Sequence, residues 1–350
     1  MFERSRRFPI WLSACALALT SSAAVAKDVA HHPLPDTDEA LVLPRGAAGE
    51  AVDPDIASSF AGAVQSYRAR DFEVARSLWE QLAEAGIGAA QHNLAVLYEQ
   101  GRGGPMNLAK AAQWYREAAA REIPQAMTNL ARLHLNGRGV TKDAEEAVQL
   151  FEAAAQLDYP PAQYNLGVAY LKGLGVGKDA EEAAEWFDAA AESGYGPALY
   201  NLAGLYLRGD GVDKDPIEAR RLFAEAAAGG DALAHLALGR LLSGGSGVDA
   251  EPDAAARHLT IAAEAGVFAA QHQLAVRYAR GRGLARDPET ALTWFHIAAA
   301  LGDARAAKNR DAFAAAQSPD VRARAERRAA AFRPIPPPVA TAEDAEPKEN

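Results

Sequence analysis

Eight histidines, one cysteine and a scatter of serines and carboxylates are the side chains with which this 350-residue chain could do chemistry. Their spacing assembles no reaction centre. His92 and His272 share a column of an internal repeat but stand five repeats apart, too distant to share a metal ion. His134 and His258 replace aromatic residues in their columns, which reads as packing. His31-His32 is at most a weak metal pair near the N-terminus. No acidic–histidine spacing suits a zinc site or a facial triad, so no metal ligand and no cofactor is assigned. Serines, histidines and aspartates occur without a nucleophile elbow, and neither Ser-x-x-Lys nor Lys-Thr-Gly is present. Gly101-Arg102-Gly103-Gly104 has the glycines of a phosphate loop. That loop needs a preceding strand and a lysine at a set position, whereas here a helix precedes and the glycines recur in every unit. No residue is assigned as catalytic, and the chain reads as a non-enzyme.

Binding chemistry is better represented. His92, Tyr164, Tyr200 and His272 fall in one row, Arg132 and Arg240 in the next, and Lys172, Arg208 and Arg280 in a third. Aromatics beside cations suit an extended or helical protein segment with acidic and apolar residues. The alternative is that Tyr164 and Tyr200 pack between neighbouring helices. Asn93, Asn129, Asn165, Asn201 and Asn309 form an asparagine column. Its amides could clamp a peptide backbone, but recurrence in nearly every unit favours a structural bond to a neighbouring loop. Arg305, Lys308, Arg310, Arg322, Arg324, Arg327, Arg328 and Arg333 make the one strongly basic region of an acidic chain. A solvated cap is the default reading. A docking patch for an acidic segment or an anionic envelope polymer, centred on Arg322, Arg324, Arg327 and Arg328, is the other.

The elements that carry these residues follow from a 36-residue period. Glycine pairs recur at 101/103, 137/139, 173/175, 209/211, 245/247 and 281/283. Alanine recurs at 75, 111, 147, 183, 219, 255 and 291. Within each unit a helix A carries Ala, Leu and Tyr at i, i+4 and i+8, as in Ala162, Leu166 and Tyr170, which places them on one face. The glycine loop ends that helix, because glycine tolerates a positive φ. A helix B then starts at a capping residue: Asn107, Asp143, Asp179, Asp215, Glu251 or Asp287. Its buried stripe is typified by Ala183, Trp186, Phe187 and Ala190.

Six regular units span 87–122, 123–158, 159–194, 195–230, 231–266 and 267–302. An atypical tetratricopeptide-like hairpin at 55–86 precedes them, and capping helices at 303–333 follow. The motif Ala-x-x-Asn-Leu-Gly-x-x-Tyr-x-x-Gly-x-Gly-Val-x-x-Asp, followed by Ala-x-x-Trp-Phe-x-x-Ala-Ala-x-x-Gly, resembles the Sel-1-like repeat. That repeat is a branch of the tetratricopeptide-like superfamily. Units 159–194 and 195–230 fit best, and 231–266 departs most, at Leu242, Gly245 and His258. The resemblance implies an all-α, right-handed α/α superhelical solenoid whose helices A line a concave face. It also implies an adaptor role in envelope assembly, signalling or host contact.

The ends and the composition frame that role. Residues 1–26 read as a secretory signal: Arg4, Arg6 and Arg7, an apolar Ile10–Leu19 run, then Ala24-Val25-Ala26. Cleavage after Ala26 would deliver the chain to the periplasm or beyond. Leu12-Ser13-Ala14-Cys15 resembles a lipobox, but the apolar run continues past Cys15, so lipid anchoring is the weaker reading. Residues 27–54 read as a flexible leader and 334–350 as a disordered, Pro-rich then acidic tail. Without residues 1–26 the chain keeps 33 basic and 45 acidic side chains, a net −12. That balance argues against a nucleic-acid binder, and no transmembrane segment is expected in the exported chain. The expected function is a non-enzymatic periplasmic scaffold that binds a partner protein along helices A. The alternative is an enzyme or hydrolase acting on envelope glycan or peptidoglycan.

Overall fold

The computed structural model describes residues 41–43, 53–244, 246–337 and 339. The readings made for residues 1–26, Cys15, His31-His32, Gly245 and 340–350 lie outside those residues. The described chain is an all-α solenoid. An opening hairpin joins α1 (Pro54–Arg68) to α2 (Phe72–Glu84). Six A/B units follow: α3 (Gly88–Gln100) with α4 (Leu108–Ala119), α5 (Pro124–Asn136) with α6 (Ala144–Ala155), and α7 (Pro160–Lys172) with α8 (Ala180–Glu192). The next three pair α9 (Gly196–Arg208) with α10 (Pro216–Ala228), α11 (Ala232–Leu241) with α12 (Pro252–Glu264), and α13 (Phe268–Arg280) with α14 (Pro288–Ala300). Helices α15 (Ala304–Ala314) and α16 (Pro319–Ala331) close the stack.

Each turn between helices has a local cause. Gly101, Gly137, Gly173, Gly209 and Gly281 hold φ between +64° and +70°, the left-handed conformation that stops helix A. The second glycine of the loop has a further reason. A Cβ on Gly175 or Gly211 would run into the carbonyl of Ala144 or Ala180, the first residue of the preceding helix B. The loop therefore fixes how closely one unit approaches the last. Asn107, Asp143, Asp179, Asp215 and Asp287 each accept a backbone N–H of their own first turn. Glu251 does not cap; its longer side chain reaches Arg220 instead, at 2.7 Å. In that same unit α11 ends three residues early, at Leu241, without a left-handed glycine as its cap.

All seven alanines of the recurrent column are completely buried, so helices pack at the distance a methyl group sets. Phe187 and Ala190 are buried with them, while Trp186 is half-buried at the edge. At each end a few described residues of the expected leader and tail touch the solenoid. Leu41 and Val42 pack on the first core cluster. Past α16, Phe332 sits edge-on to Trp294 at 5.4 Å, and the Ile335 N–H bonds the Glu264 carbonyl at 2.8 Å. The start of the tail thus lies back over the preceding unit rather than leaving the solenoid.

Candidate partner-binding face

The row of His92, Tyr164, Tyr200 and His272 is positioned by α3, α7, α9 and α13, each stacked on its own helix B. Ring centroids lie 5.6 Å apart for His92–Tyr115, 5.7 Å for Tyr164–Phe187, 5.4 Å for Tyr200–Phe223 and 5.9 Å for His272–Phe295. His92 and Tyr164 are only 2% and 3% exposed, so they form the roof of the core and not an open row. Tyr200 and His272 are half-buried. His272 is held on both sides, by Asp303 at 3.1 Å and Asn309 at 2.9 Å. Burial lowers its pKa against the pull of the Asp303 carboxylate.

The cations are also divided. Arg132 reaches back one unit to Glu99 at 3.3 Å, and Arg138 lies 3.6 Å from the same carboxylate. Glu99 also accepts the Tyr115 hydroxyl at 2.9 Å. Burial, reinforced by that carboxylate, raises the Tyr115 pKa well above its ordinary value. Arg132 therefore ties two units together. Arg240 and Lys172 are half-buried, while Arg208 and Arg280 are exposed, Arg208 lying 3.9 Å from Asp210.

The asparagine column does not bond neighbouring loops as expected. Asn165 and Asn201 donate to the carbonyls four residues back, at 2.7 and 2.8 Å, and Asn201 also lies 3.5 Å from the Tyr164 hydroxyl. Asn93 does something different. Its Oδ1 accepts the Val42 N–H at 2.9 Å and its Nδ2 donates to the Val42 carbonyl at 3.0 Å. One amide thus holds both polar groups of an extended residue lying on α3.

Of the basic residues, Arg324 and Arg328 pair with Glu289 on α14 at 2.7 and 3.4 Å, fastening α16 to the last unit. Hydrogen bonding to Arg324 holds the Glu289 carboxyl below its ordinary value. Arg322 and Arg327 are exposed on the same helix.

Sequence reasoning missed a buried glutamine column, although its period was visible. Gln91, Gln163 and Gln271 donate to Ala83, Ala155 and Ala263 in the preceding helix B, at 3.1, 3.5 and 3.0 Å. It also missed that His235 and His258 meet Nδ1 to Nδ1 at 2.9 Å. Burial lowers both, His258 to about 4, where His235, Arg257 and Arg220 add to the effect. Among the described residues, no group of three or more His, Cys, Asp or Glu side chains is arranged to hold a metal ion. None of the described helices is long and apolar enough to cross a membrane.

A stack of α/α hairpins at a 36-residue period defines an all-α repeat solenoid of the tetratricopeptide-like class. The Sel1 repeat signature matches residues 88–122, 124–159, 160–195, 196–231, 232–267 and 268–303, more than half of the chain, which belongs to the Sel1 repeat family. Such repeats are commonly protein–protein interaction scaffolds and are generally non-catalytic. No curated protein matches it. A Sel1 repeat protein from Oxalobacter formigenes is 29% identical with a TM-score of 0.64, covering 69% of this chain and 99% of its own. A protective antigen of uropathogenic Escherichia coli with an SLR fold is 28% identical with a TM-score of 0.50, covering 79% of this chain and 68% of its own.

Proposed function

We propose that this chain is an exported scaffold that holds a segment of a partner protein against its helix-A face. The observation that carries the reading is the Asn93 amide, which holds the backbone of Val42 through donor and acceptor together. Recognition of backbone rather than side chain suits a protein that binds extended polypeptide. Export to the periplasm is supported by the basic–apolar–small order of residues 1–26. An N-terminus at Lys27 on the protein recovered from its envelope agrees with it, whereas an acylated Cys15 replaces the soluble form by a lipoprotein.

The scaffold reading is tested with a photo-crosslinking residue placed in intact cells at Asn165 or Arg208 on helices A, or at the exposed Glu185 on α8. Protein adducts are expected from the first two positions and not from Glu185. Adducts from Glu185 alone would move the surface to helices B. Soluble fragments released from cell-wall sacculi by the purified chain would reject the scaffold in favour of an enzyme.

A further inference from the structure

The contact between Asn93 and Val42 joins residues 51 apart, outside any repeat. An amide that both donates to and accepts from one residue requires that residue to be extended, with its N–H and C=O on the same side. It reads no side chain. Leu41 and Val42 add apolar contact with the first core cluster, whereas Leu43 is 64% exposed. This seat rests on two hydrogen bonds and two partly covered side chains, with Val42 eleven residues ahead of the cap of α1 at Asp53. Such a small contact persists because the tether keeps the segment at a high local concentration. In units three and four the same amide nitrogens rest on their own helix, at Pro161 and Pro197.

We infer that Leu41-Val42-Leu43 is a built-in stand-in for the partner. It plugs the first register of the helix-A face, and an extended partner segment with consecutive aliphatic residues displaces it from Asn93. The displacement step rests on the scaffold reading above; the seat itself does not, and it is tested with the chain's own sequence. The probe is a fluorescein-labelled peptide spanning residues 36–46, titrated by anisotropy into the chain from Lys27 to Asn350.

The intact chain should bind the peptide weakly, since its tethered copy competes. A Leu41→Asp/Val42→Asp chain, altered only in the leader, should bind it at least tenfold more tightly. Adding Asn93→Ala should abolish that gain. Because Asn93 is buried and its loss could disturb folding, a peptide carrying Val42→Pro provides a second measure. It lacks the N–H that Asn93 accepts and should not bind the leader variant. Equal affinity of the intact and leader-variant chains overturns the inference, as does undiminished binding of the proline peptide. Concentration-dependent dimers of the intact chain that vanish in the leader variant would assign the seat to a second copy and overturn the intramolecular plug. If the peptide behaves as expected while no helix-A crosslink forms in cells, the seat stands and the scaffold reading fails.

Discussion

The first and fourth units are the same structure 108 residues apart, and they treat the same asparagine differently. Asn93 is 1% exposed beneath Leu41 and Val42 and spends its whole amide on Val42. Asn201 is half-buried and directs its nitrogen to its own helix and to Tyr164. The ring rows below them agree, His92 on Tyr115 and Tyr200 on Phe223. The helix frame is therefore set within the unit, whereas the bonding of the asparagine differs between the two: Val42 occupies it in the first unit, its own helix and Tyr164 in the fourth.

Substitutions that attack the shared frame should have the largest effects and should not distinguish the two units. Gly103→Ala and Gly211→Ala combine left-handed strain with a Cβ driven into the carbonyl of Phe72 or Ala180. Strain of about 1–2 kcal/mol and overpacking of about 1–3 kcal/mol should lower both melting temperatures sharply. Gly177→Ala, which meets nothing within 4 Å, should be near neutral. A mild Gly211→Ala would mean that the loop is not what spaces the units.

Next in size, Ala111→Leu and Ala219→Leu should each cost about 1–3 kcal/mol by overpacking a fully buried position, measured by urea unfolding. The fifth unit extends the comparison through pH. His235 and His258 have folded pKa values below the unfolded value of about 6.5. Their neutral pairing stabilises fully above that pH, and the stability is lost as pH falls toward about 4. A loss of about 1–3 kcal/mol is expected across that window, and His258→Leu should flatten it in denaturation curves.

The outer face should separate the units. Asn93→Ala should expose residues 41–43 to protease in an intact-protein digest, whereas Asn201→Ala should leave that site as protected as in the wild type. The smallest effect concerns the residue that ends helix B. Glu122 holds φ +56° where the fourth unit has Gly230 at +87°. Glu122→Gly should therefore raise the melting temperature slightly, by relief of about 1 kcal/mol, while Gly230→Glu should lower it.

Much of this was legible because a period is a local property repeated. The alanine column, the glycine loops and five of the six helix-B caps follow from residue type and spacing. Glu251 failed as a cap because an extra methylene carried its carboxylate to Arg220. The row holding His92 and Tyr164 left binding and packing both open in the sequence, and burial of these two residues agrees with packing. Opposite faces of a helix are distinct in sequence, but each of the four residues of that row rests on a ring of its own helix B, a contact between elements that the spacing within helix A does not show. Arg132 looked like a partner contact because its counter-charge, Glu99, lies in the preceding unit.

The 36-residue pattern alone determined an all-α solenoid, since each unit repeats one set of caps, breakers and small residues whose preferences act within a few residues of themselves. Only the tertiary structure decided that Asn93 holds Val42, that Ile335 returns to Glu264, and that His235 meets His258. Those contacts join aperiodic segments or exceptional residues across long stretches of chain. Their stability depends on three-dimensional proximity, and no spacing along the chain encodes it.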